Sequence, residues 1–394
     1  MLKHQNKIEK LISELCPKGV ELKSIGEICQ INRGRVMSKD YLRDNVGEYP
    51  VYSSQTANDG VFGRIDTYDY DGEYLTWTTD GAYAGSIFYR HGKFSITNVC
   101  GLLKVKVDGV NMKFLSYILA TVSKKYVSAG MGNPKIMSNV MEKIKIPLPP
   151  LAVQEEIVKI LNSFTELEAE LEAELEARKK QYEHYRSKLL TFNEEGGVRW
   201  ATLAEICIST SNIKWTEPKK TYRYIDLTSV SRNNHMIMET IEINAENAPS
   251  RAQKSVAKDD VIFATTRPTL RRFAMIGDDY TGQIASTGYC VLRANSSQVL
   301  PKWIYYNIST LTFNDYVEKN QEGSAYPSIT DTKVKAFKIP LPPLTEQERI
   351  VKILDKFDAL VNDISIGLPA ELTARRSQYE YYRGKLLTFE QYAN

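Results

Sequence analysis

The pattern of apolar and polar positions divides the chain into two kinds of segment. From Leu151 onward, apolar side chains recur every three or four residues. Ile157, Phe164, Leu167, Leu171, Leu175, Tyr182 and Leu189 fall on one line, with a single stutter. That period predicts a long helix with a coiled-coil seam. A second run, through Ile350, Phe357, Leu360, Ile364, Leu372, Tyr379 and Leu386, has the same period. Pro147, Pro149 and Pro150 force an extended lead-in to the first helix, because proline disfavours helix in the residue before it. Pro369, just after Gly367, predicts a kink or interruption in the second helix. Elsewhere short apolar runs alternate with Gly-containing turns and read as strands: Leu75–Thr78, Ser86–Phe88 and Cys100–Val107, then Asp260–Ala264, Arg272–Ile276 and Tyr289–Arg293. Each of these stretches is followed by an amphipathic helix, Met112–Lys125 and Pro301–Lys319.

The chain repeats itself. KIPLPPL at Lys145–Leu151 recurs at Lys338–Leu344, and EIVKIL at Glu156–Leu161 recurs as RIVKIL at Arg349–Leu354, both 193 residues on. ARKKQYEHYRSKLLTF, ending at Phe192, recurs as ARRSQYEYYRGKLLTF, ending at Phe389, 197 residues on. The second copy thus carries four extra residues, which is one helical step, so the seam keeps its face. Between these repeats the match is faint: VELKSIGEIC (Val20–Cys29) with VRWATLAEIC (Val198–Cys207), Cys100 with Cys290, and Asn133-Pro134-Lys135-Ile136 with Tyr326-Pro327-Ser328-Ile329. Glu9-Lys10-Leu11-Ile12 lines up with Ser187–Leu190, which makes the duplication circular. The expectation is a mixed α/β (α+β) fold with an internal pseudo-twofold repeat. Globular domains at 1–150 and 196–343 would be separated by spacer helices at 151–195 and 344–394, packed as an antiparallel coiled coil. Such a spacer would be on the order of 50 Å long, the axial length of roughly 15 base pairs.

Charge changes this picture only when it is split by segment. The chain has 394 residues and a net charge of +3, which argues against a strongly basic nucleic-acid binder. The four segments carry +5, −5, +4 and −1, so basic globular domains are masked by an acidic first spacer. Five scattered cysteines and four histidines form neither a disulfide framework nor a zinc motif. The polar start MLKHQNKIEK and the lack of a long apolar run predict a cytoplasmic protein with no membrane partner. Basic and aromatic residues gather in loops. In the first domain these are Arg33, Arg35 and Lys39, the polar stretch Tyr52, Ser53, Ser54 and Gln55, the turn at Thr79 and Tyr83, and Lys135. In the second they are Arg223, Arg232, Arg251 and Lys254, the turn Arg267, Thr269, Arg271 and Arg272, and Tyr326. Arginine suits bidentate contact with guanine, and Lys or Arg suits phosphate. No adenine-pocket motif, glycine-rich phosphate loop or His-centred constellation stands out, so no catalytic residue is assigned.

On the doubled KIPLPPL lead-ins, the paired helix starts (Gln154–Leu161, Gln347–Leu354) and the paired QYEHYR and QYEYYR ends, the chain resembles the specificity subunit of a type I restriction-modification system over essentially its whole length. The loops YPVYSSQT, DGAYAG, DVIFATTRPTLRRFAMI and ASTGYCVL fit that resemblance, and Thr165–Tyr182 is similar to the tetrapeptide-repeat spacer of the IC subgroup. The resemblance implies two target-recognition domains, each reading half of a bipartite site in double-stranded DNA, with the helices setting the gap. It implies one copy of this chain per complex, docked by two methyltransferase subunits and by restriction/translocase subunits. S-adenosylmethionine, ATP and Mg would belong to those partners, and this chain would hold no cofactor or metal and be non-catalytic. The rival readings are a stand-alone methyltransferase or nuclease with built-in recognition domains, and a coiled-coil scaffold that reads no DNA.

Overall fold

The computed structural model describes residues 2–128, 132–193, 197–217, 219–363 and 365–391. It divides into two compact units, residues 1–169 with 374–394, and residues 170–373. The residues of each long helical repeat are thus divided between the two units.

Unit 1 begins with helix α1 (Leu2–Leu15) and strand β1 (Leu22–Ser24), followed by α2 (Ile25–Ile28) and β2 (Cys29–Arg33). Helix α3 (Lys39–Asp44), β3 (Val46–Tyr52), β4 (Val61–Ile65), β5 (Tyr70–Thr78), β6 (Ile87–Ile96) and β7 (Cys100–Val105) follow. Then come α4 (Met112–Val122), α5 (Ser138–Met141), β8 (Lys145–Pro147) and the 40-residue helix α6 (Leu151–Leu190), of which this unit holds the first half. The strands form one six-stranded sheet in the order β2-β7-β5-β6-β3-β4. Its centre is Trp77, fully buried, whose indole N–H donates to the Ile136 carbonyl at 3.1 Å. Gly101 is required beside it, since a Cβ there would lie 2.2 Å from the ring. The proline-rich lead-in has a structural task. Its Lys145–Pro147 pairs antiparallel with Leu22–Ser24 and so ties the end of the domain to its beginning.

Unit 2 repeats this plan with β9 (Arg199–Thr202), α7 (Leu203–Ile206), β10 (Cys207–Ile208), β11 (Tyr222–Ile225), β12 (Ile241–Ile243), β13 (Ala252–Ser255), β14 (Val261–Ala264) and β15 (Phe273–Met275). It continues through β16 (Ile284–Ser286), β17 (Tyr289–Ala294), α8 (Pro301–Ile308), α9 (Leu311–Asn320), α10 (Asp331–Lys335), β18 (Lys338–Leu341), α11 (Leu344–Asn362) and α12 (Leu368–Leu386), whose second half belongs to unit 1. Here the strands form two sheets, β10-β17-β14-β15 and β12-β11-β16-β13. The second lead-in closes its domain as the first does, β18 pairing antiparallel with β9. The second spacer helix is interrupted as the Gly367-Pro369 pair predicts: α11 stops at Asn362 and α12 starts at Leu368. Proline fits the first turn of a new helix, where its missing N–H is not needed. The single helix predicted over Pro301–Lys319 is likewise two, α8 and α9, with the Thr310 hydroxyl capping the second by accepting from the Phe313 N–H.

A glutamine at the start of each spacer helix holds it to its domain. Gln154 is fully buried, its Nε2 donating to the carbonyls of Pro149 (2.7 Å) and Gly109 (2.8 Å) while its Oε1 accepts from the Asn111 N–H (2.8 Å). Gln347 does the same with Pro342 (2.9 Å), Gln298 (3.1 Å) and the Leu300 N–H (3.0 Å). Three side-chain bonds satisfy a buried amide that would otherwise be costly.

The buried face of each long helix departs from the heptad line. In unit 1 the start of α6 buries Val153, Ile157, Val158, Ile160, Leu161 and Phe164 in the domain core, a face too wide for a two-helix stripe. In unit 2, α11 buries Ile350, Val351, Leu354 and Val361 in the same way. Leu167 and Leu360, equivalent positions on the predicted seam, are instead 42% and 37% exposed. Leu171, Leu175 and Leu189 are half-buried, Leu190 taking the buried place beside Leu189, and Leu372 is buried. Ile364 lies outside the described residues.

The aromatic residues carry the helix contacts. In unit 1, Phe164 of α6 stacks on Tyr382 (centroids 5.6 Å apart) and lies 6.1 Å from Tyr379, both on α12. Arg376 meets Glu168 at 2.6 Å, so the partner residue number falls as that of α6 rises, and the two helices run antiparallel. Leu386 packs against the same core. In unit 2, Phe357 of α11 stacks on Tyr182 (6.2 Å) and Tyr185 (5.5 Å) of α6.

Candidate nucleic-acid interface

Each domain offers a turn braced by a returning loop. In unit 1 the chain leaves β5 through Thr79, which is buried. Its hydroxyl donates to the Val99 carbonyl at 2.9 Å, and its own carbonyl accepts from the Ile136 N–H at 2.8 Å. The Gly81 N–H then donates to the Pro134 carbonyl at 3.0 Å. In unit 2 the chain leaves β14 through Thr265, also buried. Its hydroxyl donates to the Gly288 carbonyl at 2.9 Å, and its carbonyl accepts from the Ile329 N–H at 2.9 Å. The Arg267 N–H donates to the Pro327 carbonyl at 2.7 Å. The faint Asn133–Ile136 and Tyr326–Ile329 match in the sequence is therefore a real equivalence, with Pro134 and Pro327 in the same place.

These frames decide which of the expected contact residues are available. In unit 1 Tyr83 is 61% exposed, and Lys135 and Lys39 are exposed. Arg35 is exposed but paired with Asp69 (3.2 Å) and lies over the Tyr41 ring. Arg33 is turned inward, donating from Nε to the Asn98 carbonyl at 3.1 Å and from Nη2 to the Thr79 hydroxyl at 3.3 Å. Thr79 is buried, as the frame requires. Tyr52 lies under the buried guanidinium of Arg90 (3.7 Å), which also grips Asp59 at 2.7 Å. Ser53 accepts from the Thr97 hydroxyl (2.9 Å), Gln55 donates to the Val61 carbonyl, and Ser54 is half-buried beside them. That stretch is a structured loop clamped by Arg90, a residue the sequence did not single out. Its alternation with aromatics in YRHGKF was the available signal.

In unit 2 Arg267 is exposed with its guanidinium over the ring of Tyr326 (4.7 Å), itself 71% exposed, and Thr269 is exposed beside them. The other two arginines of the turn face inward. Arg271 donates to the Ser309 carbonyl (2.6 Å), and Arg272 donates to the carbonyls of Leu227 (2.7 Å) and Val230 (2.8 Å). Burial, then the nearby Arg186, makes Arg271 less basic than an ordinary arginine. Lys254 is paired with Asp331 (2.9 Å), whereas Arg223, Arg232 and Arg251 are exposed. Arg232 and Arg271 border a cleft of about 320 Å³ with Arg186, His235 and Asp358. His235 stacks on Phe273 (3.8 Å), and burial, then the charge of Arg271, pushes its pKa down to about 4. Burial raises the Asp358 carboxyl above the usual range, despite hydrogen bonds from Asn362 (2.8 Å) and the Tyr182 hydroxyl (3.2 Å).

Among the described residues no group of three or more His, Cys, Asp or Glu is placed to hold a metal ion, and no helix is long and apolar enough to cross a membrane.

Comparison with known proteins points one way. The model of the type I restriction modification DNA specificity domain matches residues 17–177 and again 198–374. A putative type I specificity subunit of Mycoplasma pneumoniae is 32% identical over 372 residues, covering 92% of this chain and 96% of that one. The specificity subunit of the type I restriction enzyme MpnII of the same organism is 44% identical over 198 residues, 49% of this chain and 59% of that one. The crystal structure of a type I restriction-modification S subunit from M. genitalium shares the fold over 93% of this chain and 96% of that one, with a TM-score of 0.58 and 15% identity.

Proposed function

This chain belongs to the type I restriction-modification DNA specificity family and is the DNA-sequence-specificity subunit of such a complex; from that premise we propose how its two units divide the work. The subunit is non-catalytic and acts with DNA, methyltransferase and restriction subunits. Residues 1–150 and 196–343 are the two target-recognition domains, each reading one half of a bipartite site. Residues 151–195 and 344–394 are the spacer that sets the unspecified gap. One copy acts in each cytoplasmic complex with two methyltransferase subunits, and the spacer is of the IC type.

The observation that carries this reading is the doubled frame: two domains present exposed turns on the same hydrogen-bonded support. Tyr83 and Lys135 in one domain and Arg267 and Tyr326 in the other meet base edges. Lys39, Arg223, Arg232 and Arg251 meet phosphates, which position the protein without specifying sequence. The inward-facing Arg33, Thr79, Arg271 and Arg272 hold the loops rather than the DNA.

Methylation mapping in cells carrying the complete system tests this. Exchanging residues 196–343 for those of a relative should replace one half-site and leave the other. Inserting four residues after Leu171, one helical step, should change the gap and neither half-site. An unchanged motif in both would overturn the division of labour.

A further inference from the structure

The two turns share more than their bracing. Gly81 has φ +91° and Gly85 has φ +81°. The residues at the same places in unit 2 are Arg267 at +48° and Arg271 at +52°. The bridge between Asp80 and Lys135 recurs between Thr266 and Ser328, and that between Ser128 and Lys135 recurs between Glu322 and Ser328. Six residues, Asp80–Gly85 and Thr266–Arg271, thus follow one backbone path on one support while sharing no side chain at any position.

The first domain fills both left-handed positions with glycine, which adopts that conformation freely. The second holds arginine at both, a conformation that side chains disfavour and that persists only where the surroundings or the function demand it. For Arg271 the surroundings explain it, through the bond to Ser309. Among the described residues, the Arg267 side chain has no comparable hydrogen-bonded anchor; it is exposed, with its guanidinium over the ring of Tyr326. A guanidinium oriented by an aromatic face at the tip of a braced turn is a planar two-donor fork, the group that matches O6 and N7 of guanine. The first domain offers instead a glycine at that place, an asparagine (Asn133) opposite, and the exposed ring of Tyr83.

We propose that this six-residue turn with its returning loop is the base-discriminating element of each domain, and that Arg267, oriented by Tyr326, reads a guanine in the second half-site. The proposal rests on the reading that each domain recognises one half-site. The frame residues Thr79 and Thr265 are positioning residues, and the turn residues carry the discrimination.

The test is methylation mapping with the full-length chain co-expressed with its methyltransferase subunits. Arg267→Gly installs the residue that the first domain uses, in a backbone conformation glycine prefers, so the fold is not at stake. One base pair of the second half-site should lose its discrimination by about tenfold or more, with the first half-site unchanged. Arg267→Lys, which keeps the charge but not the fork, should relax the same position. Tyr326→Asn should relax it less. A parental motif from Arg267→Gly, or a uniform fall in methylation with no position relaxed, overturns the proposal. Exchange of the whole 196–343 segment separates the two levels. If that exchange changes the half-site while Arg267→Gly does not, the turn's role fails. If neither changes it, the reading on which it rests fails.

Discussion

The aromatic cluster around Phe164 in unit 1 and the cluster around Phe357 in unit 2 are assembled from the same residues taken in opposite order. The first sets the Phe of repeat one against Tyr379 and Tyr382 of repeat two. The second sets the Phe of repeat two against Tyr182 and Tyr185 of repeat one. The polar groups beside them differ. In unit 1 the Tyr117 hydroxyl donates to Asn162 (2.8 Å), and Thr165 stands one turn on. In unit 2 the Tyr306 hydroxyl donates to Asp355 (2.6 Å), and Asp358 stands one turn on. The repeat keeps the aromatic side chains but not one ring geometry: Tyr379 is tilted by 59° to Phe164, whereas Tyr182 stacks at 18° on Phe357. A hydrogen-bond acceptor can be an amide or a carboxylate, so the repeat lets it vary, and unit 2 places half-buried carboxylates where unit 1 has the uncharged Asn162 and Thr165.

Five measurements would break or sharpen that comparison. The glutamine clamps should be equal in both units. Gln154→Ala and Gln347→Ala each strand buried backbone groups, and calorimetry should show each losing about 3 kcal/mol. A marked inequality would mean that the two clamps are not equivalent. Arg272→Ala removes two bonds to backbone carbonyls and should cost about 2 kcal/mol, whereas Arg267→Ala should cost little, in chemical denaturation of the full chain.

The acid–base asymmetry comes next. The folded His235 titrates at about 4, below its unfolded value of 6.5, so the stability it contributes is present above pH 6.5 and lost as the pH falls towards 4. His235→Asn, which tolerates the observed φ of +56°, should flatten the fall by about 3 kcal/mol over that range. Asp358 has the opposite sign. Its carboxyl is raised by burial, so ionisation at neutral pH costs stability, and below the unfolded value of 3.8 there is no cost. Asp358→Asn keeps the Tyr182 bond and should stabilise the fold at pH 7, with no gain near pH 3. The matched Thr165→Asn in unit 1 should show no pH dependence. The smallest effect is expected on DNA binding itself. Lys39→Ala should lower the salt dependence by about one charge without changing the motif.

The duplication, the proline lead-ins, the mixed strand and helix content and the break at Pro369 were all legible because each depends on local sequence: a period, a missing N–H, a repeated string. The candidate site was legible only as a set of loops. Three arginines within six residues, Arg267, Arg271 and Arg272, looked alike. Two of them bond to carbonyls contributed by residues 38 or more positions away in the chain. Likewise Leu167 and Leu360 continue the apolar spacing yet are partly exposed, while Phe164 and Phe357 three residues earlier make the contacts with the tyrosines.

By itself, then, the sequence determined that one unit of about 195 residues is used twice, with basic globular segments and an acidic first helical segment. Spacing and charge are properties of the covalent chain. Tertiary structure alone decided which side chains remain free to meet DNA, which clamp a loop, and that each unit borrows its tyrosines from the other repeat. Those outcomes depend on hydrogen bonds and ring contacts between residues far apart in the chain, which no local pattern records.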